Sequence, residues 1–208
     1  MSLDPHDGDS MTARRAVAVL LGEAAWAPPG VPADAWRRAL AEDVVDLLAA
    51  LAEVDVVIAG ADRELAEAIR WPGMTVYEAA RPVEVFAALA ADGYRQGLVL
   101  AADAPDLPAL LVGKLFRPLT SRPVAAAPAL PGRDGLVGLA TVLPAPDWLA
   151  ALDPDLSVTL PDLRAAAPAR PDIATCPGWH RLRTSADLAM LDEALEGWES
   201  TRALVAQR

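Results

Sequence analysis

Gly97-Leu98-Val99-Leu100-Ala101-Ala102-Asp103-Ala104-Pro105-Asp106-Leu107-Pro108 runs from an unbroken apolar stretch into two carboxylates three positions apart. A strand that is apolar at every position has both faces covered, which is the signature of a parallel sheet between two layers of helix. Asp103 and Asp106 then stand at the carboxyl end of that strand, and the segment Pro108 to Leu119 after them has the spacing of a helix.

The same alternation extends in both directions. Upstream, Ala16 to Leu21 reads as a buried strand ending at Gly22, and Ala35 to Ala52 as a helix with Asp34 as its cap. A strand over Asp55 to Gly60, a helix over Asp62 to Arg70, a strand over Met74 to Ala79 and a helix over Pro82 to Asp92 follow. Downstream, Pro123 to Leu130 is a fifth strand. Gly132 to Gly135 is a turn, and Leu136 to Leu143 a strand returning from it. The stretch 144–177 is rich in Pro, Ala and Asp and reads as mostly irregular, with a short helix near Trp148. A last helix is expected from Ala186 to about Trp198, carrying Leu188, Leu191 and Leu195. Right-handed crossovers make this an α/β three-layer sandwich with a mainly parallel, Rossmann-like sheet and a returning hairpin strand. Residues 1–13 read as a disordered tail and 14–208 as one domain.

Of 208 residues, 53% are hydrophobic and 23% charged, ample for a core. There are 18 basic and 29 acidic side chains, a net charge of −11. That balance argues against a nucleic-acid polymer or an anionic membrane as partner. The longest early apolar run is too short to span a bilayer, and the acidic start is unlike a signal peptide. Cys176 is the single cysteine and His6 and His180 the only histidines, so structural zinc is excluded and a reducing cytoplasm is the expected location.

Ligands bind such sheets outside the carboxyl ends of their strands, which directs attention to Asp103 and Asp106. Hard cations such as Mg²⁺ or Mn²⁺ take carboxylate and phosphate oxygens, so the pair can hold a metal against a diphosphate. Equally, Asp106 can cap the helix at Pro108 while Asp103 merely ends the strand. Cys176 is expected to be a buried small hydrophobe. Trp36 and Trp198 are expected on helices, in the core or at an interface. Trp26, Trp148 and Trp179 are expected in loops.

The strand followed by Asp103-Ala-Pro-Asp106-Leu107 resembles the nucleotide-diphospho-sugar transferase superfamily, which has the GT-A fold and includes glycosyltransferases and nucleotidyltransferases. By element order the resemblance covers roughly residues 15 to 195. It implies Asp103 and Asp106 as catalytic and metal residues, with Mg²⁺ or Mn²⁺ as cofactor and a nucleotide or nucleotide sugar as partner. It also places Arg133 and Asp134, in the hairpin turn, against a phosphate and a sugar or ribose hydroxyl.

The chain departs from the family in two places. The loop after the first strand, Glu23 to Pro32, has one glycine, no Lys or Arg, and prolines that remove backbone donors. Arg37 and Arg38 follow inside the helix, where solvation or packing is their ordinary role. Near the end, Thr184, Asp187 and Leu188 match the family's helix start, but Arg181 and Arg183 stand where an acid is expected. An arginine cannot ligate a cation. Either the arginines replace the metal as counter-charge to phosphate, or the centre has decayed. His180, beside them, reads as a surface or interaction residue.

Two functions fit. One is a metal-dependent nucleotidyl- or glycosyltransferase. The other is a catalytically degenerate protein of the same fold that serves as a binding or interaction module, as a homo-oligomer or accessory subunit.

Overall fold

The computed structural model describes residues 14–130, 135–192 and 194–206. The tail and the hairpin turn with Arg133 and Asp134 lie outside the described residues.

Four βα units come first. Strands β1 (Arg15–Leu20), β2 (Asp55–Ala59), β3 (Thr75–Tyr77) and β4 (Gln96–Ala101) alternate with helices α1 (Ala33–Ala49), α2 (Arg63–Ile69), α3 (Pro82–Ala91) and α4 (Ala109–Phe116). Then come β5 (Val124–Pro128), β6 (Leu136–Val142), α5 (Asp147–Leu152), α6 (Leu160–Ala166), β7 (Ile173–Thr175) and α7 (Glu199–Ala206). The sheet order is β3-β2-β1-β4-β6-β5-β7. Among the described strands β6 alone runs against its neighbours, inserted between β4 and β5 as the returning strand.

Alternate residues of each strand feed two cores. Val17, Val19, Leu98 and Leu100 face α1, α2 and α4, while Ala16, Ala18 and Val99 face α3, α5 and α6. Gly138 lets β6 lie close beneath α4. A Cβ there would come within 2.8 Å of Leu100 and 2.9 Å of Leu115.

Several sequence expectations need correction. Helix α1 starts at Ala33, with Pro32 before it and no side-chain cap, so Asp34 lies in the first turn. The stretch 144–177 is more ordered than its composition suggests. It holds α5, with Trp148 on it, then α6, capped by Thr159, and the edge strand β7. The continuous helix expected from Ala186 to Trp198 does not form. A 3₁₀ turn covers Ser185–Met190, and Asp187 holds its start by accepting from the Thr184 amide at 2.7 Å and hydroxyl at 2.9 Å. Leu188 and Leu191 pack with Trp36, Leu40 and Leu182 in a small third cluster, and that packing prevails over local helical periodicity. Gly197 then turns the chain at φ +97°, and α7 docks on α1 with Trp198 buried ahead of it.

Candidate functional site

The carboxyl ends of β1 and β4 open into a cleft of about 210 Å³. Leu20 to Ala24 form one side, Arg37 and Leu40 of α1 another, and Asp155 to Ser157 of the α5–α6 loop a third. Asp103, Arg181 and Arg183 meet in it.

The backbone explains why the arginines are there. Beyond β7 the chain continues along β5: the Cys176 amide donates to the Ala126 carbonyl at 2.9 Å, and Trp179 forms a bridge with Ala129. Gly178 allows this approach, since a Cβ there would stand 2.5 Å from the Pro128 carbonyl oxygen. The Leu182 amide then donates to the Asp103 carbonyl at 2.7 Å. Leu182 is buried, so its neighbours Arg181 and Arg183 both project toward the strand end.

Arg181 Nε donates to Asp103 Oδ1 at 2.5 Å and Nη2 to Oδ2 at 2.9 Å. Its Nη1 donates to the carbonyls of Leu136 (3.0 Å) and Leu156 (3.2 Å). Arg183 reaches Asp103 Oδ2 only at 3.4 Å, through Nε. Burial, then the neighbouring Arg181 charge, draw the Arg183 pKa down from its ordinary value, with Asp103 opposing. A guanidinium nonetheless stays charged at neutral pH.

Asp106 faces elsewhere. It is buried, and its Oδ1 accepts from Trp179 Nε1 at 3.1 Å. His180 Nε2 lies 2.9 Å from the same oxygen but off the line of a hydrogen bond, and Oδ2 is buried with no partner. Asp106 caps no helix either, since α4 begins at Ala109 after Pro108. His180 is buried and stacked on Trp179, not a surface residue.

This donor set does not fit the divalent cation that the family resemblance implies. Both oxygens of Asp103 are held by guanidinium groups, which repel a cation. Asp106 is turned into the core, and no group of three or more potential ligands forms among the described residues. The structure therefore joins Asp103 to Arg181 and Arg183 and separates Asp106 from them.

Two groups of cleft residues escaped the sequence reading. Arg37 is not simply solvated: its Nε donates to the Gly22 carbonyl at 2.7 Å and its Nη1 pairs with Asp62 at 2.6 Å. Asp62, whose pKa is lowered by the Leu65 amide and then by Arg37, also caps α2. A helix entering after β1 brings its second turn back over the strand end, so the position of Arg37 was a usable signal. Asp155 and Ser157 had none, lying in the Pro/Ala/Asp-rich stretch. Asp155 accepts from the Ser157 amide at 2.8 Å and hydroxyl at 2.6 Å, and the hydroxyl bond lowers its pKa. Cys176 is buried as expected, and burial raises its thiol pKa.

No family model and no curated protein matches the chain. Solved structures do. A protein described as a nucleotide-diphospho-sugar transferase from Desulfovibrio desulfuricans G20 superposes with a TM-score of 0.65 at 19% identity, over 92% of this chain and 95% of that one. The chain shares the fold of the nucleotide-diphospho-sugar transferases. The 4-diphosphocytidyl-2C-methyl-D-erythritol synthase of Anaerococcus prevotii DSM 20548 gives 0.57 at 15% identity, over 93% of this chain and 98% of that one. A CMP:2-keto-3-deoxy-manno-octonic acid synthetase complexed with CTP gives 0.53 at 14%, over 93% and 98%. This transferase fold places the cleft where the sheet's carboxyl ends meet solvent. No described helix is long and apolar enough to cross a membrane.

Proposed function

We propose that this chain binds a nucleotide or nucleotide sugar in the cleft as a nucleotide-donor transferase, with arginine in place of a divalent cation as counter-charge to phosphate. The observation that carries this reading is the meeting of Asp103, Arg181 and Arg183 at the carboxyl end of β4. Phosphate needs fixed positive charge and directed N–H donors, and a guanidinium fork supplies both. Arg181, locked by Asp103 and two carbonyls, holds the floor rigid. Arg183 meets the phosphate and stabilises charge on a phosphate leaving group as a donor bond breaks. Arg37 fixes the loop after β1 in the place of a glycine-rich phosphate loop.

The second reading, a binding module without catalysis, draws support from Asp103 and Asp106 both being engaged inside the protein. Calorimetry with the mono-, di- and triphosphates of the four common nucleosides and with nucleotide sugars, in EDTA and in Mg²⁺, tests nucleotide binding. Transfer to water or to added sugar alcohols, followed by chromatography, separates the two readings. The expected result is binding that survives EDTA. No binding in either condition overturns the proposal.

A further inference from the structure

Each cationic side chain of the cleft has a different number of free donors. Arg37 is engaged through Nε by Gly22 and through Nη1 by Asp62, which leaves it Nη2 but no complete fork. Arg181 is committed through Nε, Nη1 and Nη2 to Asp103 and two carbonyls. Arg183 has only the 3.4 Å contact from Nε, so its terminal nitrogens remain available among the described residues, at the cleft wall. Among the described residues the cleft therefore offers one unspent fork. Its lining charge sums to zero, three arginines against Glu23, Asp103 and Asp155, on a chain of net charge −11.

We infer that the cleft takes a ligand with a single phosphoryl group, a nucleoside monophosphate either free or esterified to a sugar, and not a di- or triphosphate. The inference rests on the nucleotide reading and narrows it. One planar fork matches one phosphate in bidentate fashion. Among the described residues every further phosphate brings negative charge with no second free guanidinium fork to meet it and no cluster of three cation ligands beside it, into a protein that is already strongly acidic. Size agrees: about 210 Å³ is less than the roughly 300 Å³ at which sites begin to enclose a whole ligand. The phosphate and its attached sugar fit inside, against Leu20, Leu40 and Leu156, and the rest lies at the mouth.

A calorimetric ladder in EDTA tests this. For each of the four common bases, the nucleoside monophosphate, its methyl ester, the diphosphate and the triphosphate are titrated into the full chain. For the preferred base, the expected order has the monophosphate or its ester binding more tightly than the diphosphate and the triphosphate, since one fork meets one group. Ester equal to or above monophosphate points to a sugar-linked ligand and the reverse to the free monophosphate; both orders support the inference. Arg183→Gln should weaken monophosphate binding about tenfold or more, with Arg183→Lys between it and wild type because charge is kept and the fork lost. A diphosphate or triphosphate that binds in EDTA as tightly as the monophosphate and its ester or more tightly, or binding that appears only with Mg²⁺, overturns the single-phosphate inference and leaves nucleotide binding standing. Monophosphate binding unchanged in both folded Arg183 variants overturns it as well. No binding of any compound, with or without Mg²⁺, overturns the underlying nucleotide reading too.

Discussion

Arg181 grips both carboxylate oxygens of Asp103, at 2.5 and 2.9 Å, while its third nitrogen ties the start of β6 to the α5–α6 loop through Leu136 and Leu156. Asp103 is thus an internal anion occupying the fork that a phosphate would otherwise take. Gly135 is needed for the same junction, since a Cβ there would lie 2.6 Å from the Leu156 carbonyl oxygen. This arrangement reverses the usual expectation for the strand-end aspartate of a metal site.

Asp103→Asn separates the two possibilities. A metal ligand loses nucleotide affinity on this change. An internal counter-ion releases Arg181, so diphosphate affinity should rise by about tenfold, the value of one added charge-assisted contact. Stability should fall by about 2 kcal/mol, less than for a fully buried pair, because Asp103 and Arg181 retain some exposure. Calorimetry in Mg²⁺ and in EDTA, with urea unfolding, reads the two effects. A loss of affinity confined to the Mg²⁺ titration would restore the metal reading.

Asp106→Asn gives an independent check. Its Oδ2 is buried without a partner, which makes the carboxylate costly where it stands, and the amide keeps an oxygen for Trp179 Nε1. Stability should change by no more than about 1 kcal/mol, and nucleotide affinity should stay within about twofold, since the residue does not face the cleft. A severe loss of affinity in a folded variant would place Asp106 in the binding site after all.

How far the sequence reaches depends on whether a residue's role is set locally. The unbroken apolar runs at 16–21 and 97–101 leave little choice but a covered parallel sheet, and Asp62 capping α2 follows from its place before a helical repeat. The motif Asp103-Ala-Pro-Asp106 brings one of its aspartates, Asp103, to the cleft at the carboxyl end of β4. It did not reveal that its two carboxylates part company, because that depends on Trp179 and Arg181 arriving more than 70 residues later. The 3₁₀ turn at 185–190 failed for a similar reason, its leucines being drawn to Trp36. Arg133 and Asp134 lie outside the described residues.

Gly178→Ala probes the path that delivers the arginines. A methyl group would meet the Pro128 carbonyl oxygen at 2.5 Å, and backbone has no rotamer with which to move aside. The chain must separate from β5, breaking the Trp179–Pro128 and Leu130–Trp179 bonds on either side. A loss of about 1 to 3 kcal/mol is expected, as for other overpacked sites. Nucleotide binding should weaken together with stability, because Arg181 and Arg183 follow a few residues on. Chemical denaturation and calorimetry check the pair of effects. A stable variant with wild-type affinity would mean that the segment has freedom this packing does not allow.

Asp43 makes the stability of the C-terminal helix dependent on pH. It lies buried on α1 and accepts from the Ser200 amide at 2.9 Å and the Thr201 amide at 2.8 Å, capping α7 from a distant part of the chain. Burial raises its carboxyl to about 6 from the usual 3.8, the hydrogen bonds from Thr201 and Ser200 opposing and Asp46 adding to the rise. The folded protein therefore holds this proton more tightly than the unfolded chain, and the contribution is full below pH 3.8 and lost as pH rises through 6. Asparagine mimics the protonated form. The stability of Asp43→Asn relative to wild type should therefore increase by about 2 to 3 kcal/mol between pH 4 and pH 7.5. Urea titrations across that range measure it. A stability difference independent of pH would mean that the charged carboxylate is as well solvated by the two amides as it is by water.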